Sequence, residues 1–145
     1  MSDGAGAAIL VSEKILKKYN LKPLARFVSA SVAGVPPEIM GIGPVEAIPR
    51  ALKLAGLQQA DLDWIELNEA FAAQALACMR TLELDPAKVN PQGGAIALGH
   101  PLGATGAIRV ATLVNAMQRD SKVKHGMVSM CIGTGMGFAA IFERV

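Results

Sequence analysis

The sequence predicts an α/β fold on a single sheet, mostly parallel, with one antiparallel edge. Two observations carry that expectation. Apolar runs of strand length alternate with segments of helical period. The chain then closes on two apolar runs, 126–132 and 138–143, joined by Gly133-Thr134-Gly135-Met136-Gly137, which reads as a hairpin. At 145 residues there is enough chain for one domain with a real core.

Taken in order, Asp3-Gly4-Ala5-Gly6-Ala7 leads into Ala8-Ile9-Leu10-Val11, read as a short buried strand. Ser12 reads as the N-cap of a helix over 13–19 that stops at Asn20. A second strand is expected over 24–35, marked by Phe27, Val28 and Val32. Pro36-Pro37 and Gly41-Ile42-Gly43-Pro44 punctuate a loop. From Val45 to Ala55, residues Ala47, Ile48, Ala51, Leu52 and Ala55 fall on one helical face, and Gly56 closes the helix. Pro49 is placed in its first turns, where proline is tolerated. A third strand over 63–68 runs straight into a helix over 69–80, apolar nearly all round. The last helix is expected over 103–117, after Pro101. Its early face of Gly103, Ala104, Gly106 and Ala107 would let another helix come very close.

Composition narrows the function classes. A net charge of +2 makes no case for nucleic acid or an anionic membrane as partner, and aromatics at 4% offer few stacking platforms. No apolar run reaches the ~18 residues of a membrane helix. The chain is 52% hydrophobic and 18% charged, against the ~25% charged of an ordinary soluble domain. Mean hydropathy is +0.37. That surplus points either to burial against another protein surface or to an ordinary Ala-rich and Gly-rich core. The two cysteines, Cys78 and Cys131, form no CxxC, and with two histidines they make no metal site. No secretory segment is read after Met1, and the acidic Ser2-Asp3 is unlike a transit peptide, so a reducing, cytoplasmic setting is expected.

Three polar groups fall where α/β sheets build sites. Asn68 ends a strand. His100 lies in the Gly-rich stretch 90–106, at the mouth of the helix that follows. Cys131 enters the final Gly-rich turn, whereas Cys78 reads as core. Singly, such a His or Cys is packing as often as chemistry. Together, an amide, an imidazole and a thiol suit a reaction that forms an oxyanion and moves a proton. Gly133 could offer its N–H to a second oxyanion. Dinucleotide, P-loop and nucleophile-elbow motifs are absent.

Asn68-Glu69-Ala70-Phe71-Ala72-Ala73-Gln74, the run from Gly93 to Gly106, and Cys131-Ile132-Gly133-Thr134-Gly135-Met136-Gly137 resemble, in order and spacing, the three C-terminal motifs of the thiolases. These are the acetyl-CoA acetyltransferases and 3-ketoacyl-CoA thiolases. The resemblance implies a half-molecule with a five-stranded mixed sheet, helices on both faces and a C-terminal hairpin. Segment 1–20 would be the last strand and helix of the N-terminal half, and 21–145 the C-terminal domain. His100 would activate a nucleophilic cysteine and donate to the thioester oxygen. Asn68 would hold the water completing that oxyanion hole. Cys131 would shuttle the proton, Gly133 would line the second oxyanion hole, and Met40 and Phe71 would flank the acyl pocket. Coenzyme A is the implied co-substrate, with no bound cofactor or metal. The implied partners are an N-terminal thiolase half or subunit, and the implied assembly is a homo-oligomer. No residue here stands in for the family's nucleophile. Two functions therefore remain: the C-terminal part of an acyltransferase, or a dead paralogue that binds acyl-CoA or a full-length subunit.

Overall fold

A computed structural model describes residues 2–145. Segment 2–12 has no regular secondary structure. The elements that follow are α1 (Glu13–Tyr19), β1 (Ala25–Gly34), α2 (Gly43–Ala55), β2 (Trp64–Leu67), α3 (Ala72–Thr81), α4 (Ala95–Leu98), α5 (Leu102–Arg119), β3 (His125–Ile132) and β4 (Met136–Arg144). A 3-10 segment, Pro37–Ile42, occupies the expected loop before α2. No helix among the described residues is long and apolar enough to cross a membrane.

Local chemistry explains the helix ends. The Ile15 amide donates to Ser12 Oγ, and Asn20 takes the left-handed conformation that closes α1. Gly56 closes α2 at φ 69°. That helix starts at Gly43, two residues before the expected Val45, so Pro49 sits in its second turn on the exposed side. Gly43 and Gly137 let α2 and β4 meet backbone to backbone, because a Cβ on either would collide with the other's main chain.

Among the described residues the sheet has four strands, in the order β1-β4-β3-β2, rather than the expected five. Only four strands form within 21–145, and segment 8–11, expected as a strand of the N-terminal half, adds none. It finds no ladder, and Ile9 and Leu10 stay 90% and 74% exposed. The sheet is also less parallel than expected. Only β2 and β3 run parallel, while β3–β4 and β1–β4 are antiparallel. The reason is where β4 goes. Its run Ala139-Ala140-Ile141-Phe142 is buried on both faces, which only an interior strand allows, so the hairpin's second strand takes the centre of the sheet.

Alternation then builds two cores. Met127, Ala139, Ile141, Ile65 and Leu67 pack with α2 and with Cys78 of α3 on one face. Val128, Ala140 and Phe142 pack with Leu113 and Met117 of α5 on the other. Helices thus cover both faces. What approaches the small-residue start of α5 is the irregular segment 4–6, not a helix. A Cβ on Gly6 would lie 2.9 Å from Ala107 Cβ.

One polar link crosses from sheet to α5. Arg109 Nη1 donates to Glu66 Oε2 at 3.1 Å and to the Gly93 carbonyl at 3.0 Å, and Trp64 Nε1 donates to Glu66 Oε1 at 2.6 Å. Glu66 and Arg109 are 0% and 1% exposed. Burial raises the Glu66 pKa above its ordinary value, outweighing the lowering by the Trp64 and Arg109 hydrogen bonds. The folded state therefore keeps this proton to higher pH than the unfolded chain does. The group's contribution to stability is greatest below its unfolded pKa and declines as pH rises through the folded one.

Removing one partner strands the other charge in the interior. Arg109→Met or Glu66→Leu alone should each cost about 3–5 kcal/mol in urea unfolding, and the double substitution should recover most of that loss. Single and double variants of equal stability would show that the pair is not an isolated electrostatic unit.

Candidate active site

Strands β2 and β3 are parallel, so their C-terminal ends lie at the same edge of the sheet. There the Asn68 amide N–H donates to the Ser129 carbonyl at 2.9 Å, two residues before Cys131. The Gly-rich stretch is tied to the same place. Asn90, at φ 46°, uses its side chain as a strand would use its backbone: Leu67 N donates to Asn90 Oδ1 at 2.9 Å, and Asn90 Nδ2 donates to Leu67 O at 2.8 Å. Its own amide donates to Ile65 O. One short helix later, at Gly99 with φ 94°, the chain turns and presents His100.

Asn68 and His100 meet directly. Asn68 Nδ2 lies 3.3 Å from His100 Nε2, and His100 Nδ1 lies 2.7 Å from Thr105 Oγ1. The Thr105 hydroxyl donates its proton to the Pro101 carbonyl at 3.0 Å. It can therefore only accept from the ring, which places the imidazole proton on Nδ1 and a lone pair on Nε2. Asn68 donates to that lone pair, and its Oδ1, fully buried, finds no hydrogen-bond partner among the described residues. The Nε2 lone pair thus faces Asn68, at the sheet edge where Cys131 also lies.

Cys131 stands opposite Gly137 in the hairpin and is half-buried. Burial pushes its thiol pKa up, so the sulfur keeps its proton at neutral pH, the state an acid needs. Cys131 makes no side-chain hydrogen bond to Asn68 or His100. Gly133, just beyond the strand, faces open space where a side chain would be. The turn behind it is fixed, because Val35 N donates to Gly135 O and a Cβ on Gly135 would strike the Val35 carbonyl. Met40 is half-buried in the 3-10 segment, whose Gly41 abuts Gln74 of α3. Phe71, the residue before α3, is 66% exposed. Cys78 is core as expected, its thiol donating to Gly41 O at 3.5 Å.

The sequence reading passed over Glu69, Asn90 and Thr105. Glu69 was expected to open a helix, yet α3 begins only at Ala72. Its carboxylate accepts from Ile96 N at 3.0 Å and from Asn90 Nδ2 at 2.9 Å. Thr105 carries a readable signal: five residues past His100, it is the one hydroxyl in the first turn of α5.

The tautomer can be read directly. In the imidazole 15N spectrum, His100 should be protonated at Nδ1 and bare at Nε2. Thr105→Val should move that proton toward Nε2, and Thr105→Ser should restore it. A wild-type ring protonated at Nε2 would contradict the assignment. For Cys131, the raised pKa means less thiolate than a free cysteine at pH 8. Iodoacetamide should label it more slowly than free cysteine there and faster as pH climbs above the ordinary thiol range, with Cys78 unlabelled. Labelling at the free-thiol rate would show that burial does not govern Cys131.

Comparison with known proteins gives the family. The family described as thiolase, C-terminal domain, matches residues 21–144. The chain is 56% identical over 143 residues to human peroxisomal 3-ketoacyl-CoA thiolase, spanning 99% of this chain and 34% of that one. It is 56% identical over 142 residues to the 3-ketoacyl-CoA thiolase of Bacillus subtilis, spanning 98% and 36%. The crystal structure of human mitochondrial 3-ketoacyl-CoA thiolase superposes with a TM-score of 0.90 at 52% identity, over 92% of this chain and 34% of that one. The same enzyme in complex with CoA gives 0.89. The chain thus spans about a third of the length of the relatives it matches, and it belongs to the thiolase family, of which it carries the C-terminal domain.

Proposed function

We propose that this chain supplies the acid–base and oxyanion groups of a thiolase acyltransferase, which cleaves 3-ketoacyl-CoA with coenzyme A or runs the reverse condensation of acetyl-CoA. The nucleophilic cysteine comes from protein outside this chain. The observation that carries the reading is the Asn68–His100–Thr105 relay, which leaves a basic Nε2 at the sheet edge where Cys131 also lies.

In this reading, His100 Nε2 takes the proton of the nucleophilic thiol, and the thiolate attacks the 3-keto carbon. The Nε2–H so formed donates to the oxygen that becomes negative, together with a water held by Asn68. Cleavage of the C2–C3 bond leaves an acyl-enzyme and the enolate of acetyl-CoA. The protonated Cys131 thiol donates to that carbon, with the Gly133 N–H facing the enolate oxygen. The Cys131 thiolate then takes the proton of incoming CoA, whose sulfur attacks the acyl-enzyme carbonyl to form the new acyl-CoA thioester, while the nucleophilic cysteine leaves and takes back its proton from His100 Nε2. Met40 and Phe71 flank the acyl chain.

Phe71, Ile96, Leu98 and Leu102 lie in the segments around Asn68 and His100 and are all exposed; Leu102 is 81% exposed. They give the remainder of a thiolase an apolar surface to cover, in line with the sequence's apolar surplus. Segment 1–20 belongs with that remainder in this reading. The proposed setting is cytoplasmic, although several relatives are named for the peroxisome.

The test is a graft of the full chain in place of the matching third of the Bacillus subtilis enzyme. The graft should thiolyse acetoacetyl-CoA. His100→Ala should lower kcat by about 10²–10⁴-fold, the range of a general base. Full activity in His100→Ala would sink the reading. Binding of acyl-CoA without turnover by the unsubstituted graft would instead favour a non-catalytic thiolase subunit.

A further inference from the structure

We propose that Glu69 is a positioning residue, which fixes α4 and through it the place His100 takes beside Asn68. The proposal rests on the thiolase reading and gives a role to a residue that reading leaves idle.

Glu69 follows Asn68 directly, so its main chain is held at the end of β2. Its side chain leaves the expected helix and reaches the Gly-rich stretch. Both carboxylate oxygens are occupied there, one by the Ile96 amide and one by Asn90 Nδ2. Each donor depends on it. Ile96 N–H is in the first turn of α4, where no carbonyl of the helix can accept it. The residue before α4 is Gly94, which has no side chain to cap the turn. A side chain on Gly94 would overlap the Glu69 carboxyl itself. The cap is therefore delivered from a distant residue into space that glycine keeps clear. Asn90 Nδ2 divides its two protons between Leu67 O and Glu69, so the carboxylate also sets the rotamer of the side chain that pairs with β2.

The connection onward is short. Helix α4 is four residues long, Gly99 turns the chain, and the next residue is His100. One side chain thus spans from the neighbour of Asn68 to the segment that carries His100. Rotation of α4 would change the 3.3 Å contact between Asn68 Nδ2 and His100 Nε2. Glutamine can accept from one donor, but it turns an NH₂ group toward the other.

The test uses the full chain and the graft. In the chain, the readouts are the Ile96 amide proton and the His100 imidazole 15N resonances, the latter separated from His125 by a His125→Gln variant. In the graft, the readouts are kcat and KM for acetoacetyl-CoA. Glu69→Gln should shift both sets of resonances and lower kcat about tenfold, the loss of one charge-assisted hydrogen bond, with KM within about twofold. Glu69→Ala should cost about a hundredfold in kcat, as for a misplacement of about 1 Å. The isosteric Gln variant carries the measurement if the Ala variant fails to fold. Unmoved His100 resonances in Glu69→Gln, or a loss confined to KM, overturns the proposal. If the unsubstituted graft is inactive, the thiolase reading fails, and the resonances of the chain still decide whether Glu69 places His100.

Discussion

The buried pair Glu66–Arg109 is the constraint on which the site depends. It is a poor source of net stability, because two charges lose their water and the compensation is incomplete. One guanidinium nitrogen serves both the Glu66 carboxylate and the Gly93 carbonyl, while Arg109 Nε has no partner among the described residues. What the pair supplies is registry. The apolar contacts of Leu113 and Met117 against Val128 and Phe142 would tolerate a small slide of α5 along the sheet. A slide of one turn would leave two charges facing apolar side chains. Because Arg109 also holds Gly93, the helix and the loop that precedes it are fixed against the same strand, β2.

That arrangement changes how the Gly-rich stretch is understood. Its glycines do not give it freedom. Gly94 is glycine because a carboxylate fills the space beside it, and Gly93 and Gly99 take backbone angles that side chains resist. Asn90 pairs with Leu67 as an extra rung would, and Val89 makes a lone parallel bridge with Ile65. The stretch is an extension of the sheet edge, held by side chains where a regular strand would use its backbone. A loop so tied can keep an imidazole in one tautomer and one orientation, which an untethered glycine run could not.

How much of this the sequence shows follows from the range of each interaction. Ser12, Asn20 and Gly56 act within one turn of their own helices, and each is readable in place. Asn68, His100 and Cys131 stand out as candidates because each combines a polar group with a strand end or helix start. Strand order was not identifiable locally. The run Phe138-Ala139-Ala140-Ile141-Phe142 is as apolar as a central strand must be, but hairpin position alone suggested an edge. Ala8-Ile9-Leu10-Val11 has strand composition and no ladder to join, and composition cannot report a missing neighbour. Glu69 was misread because Ala70 to Arg80 has strong helical character, while its partners Asn90 and Ile96 lie more than twenty residues away. Glu66 and Arg109 did leave a signal: Glu66 is the one charge in β2, Arg109 the one charge in the middle of α5, and the two are of opposite sign. Lone charges in apolar runs ask for each other.

The state of His100 is the last link between fold and chemistry. A base is useful only if its lone pair is free to leave its resting partner. At Nδ1 the ring is held by a short bond to a hydroxyl whose own proton is committed to Pro101. At Nε2 it faces an amide at the long end of hydrogen-bond distance, from a residue whose other polar atom has no partner among the described residues. The strong bond thus lies behind the ring and the weak one in front. In the proposed reaction an incoming thiol at Nε2 would displace only the weak contact and leave the Nδ1 anchor intact. Once Nε2 had taken the proton, Asn68 could no longer donate to it, and its amide would be released to the water that completes the oxyanion hole. The same amide would then serve the base before proton transfer and, through that water, the oxyanion after it, and the residues that would permit this are those that fix its distance to the ring.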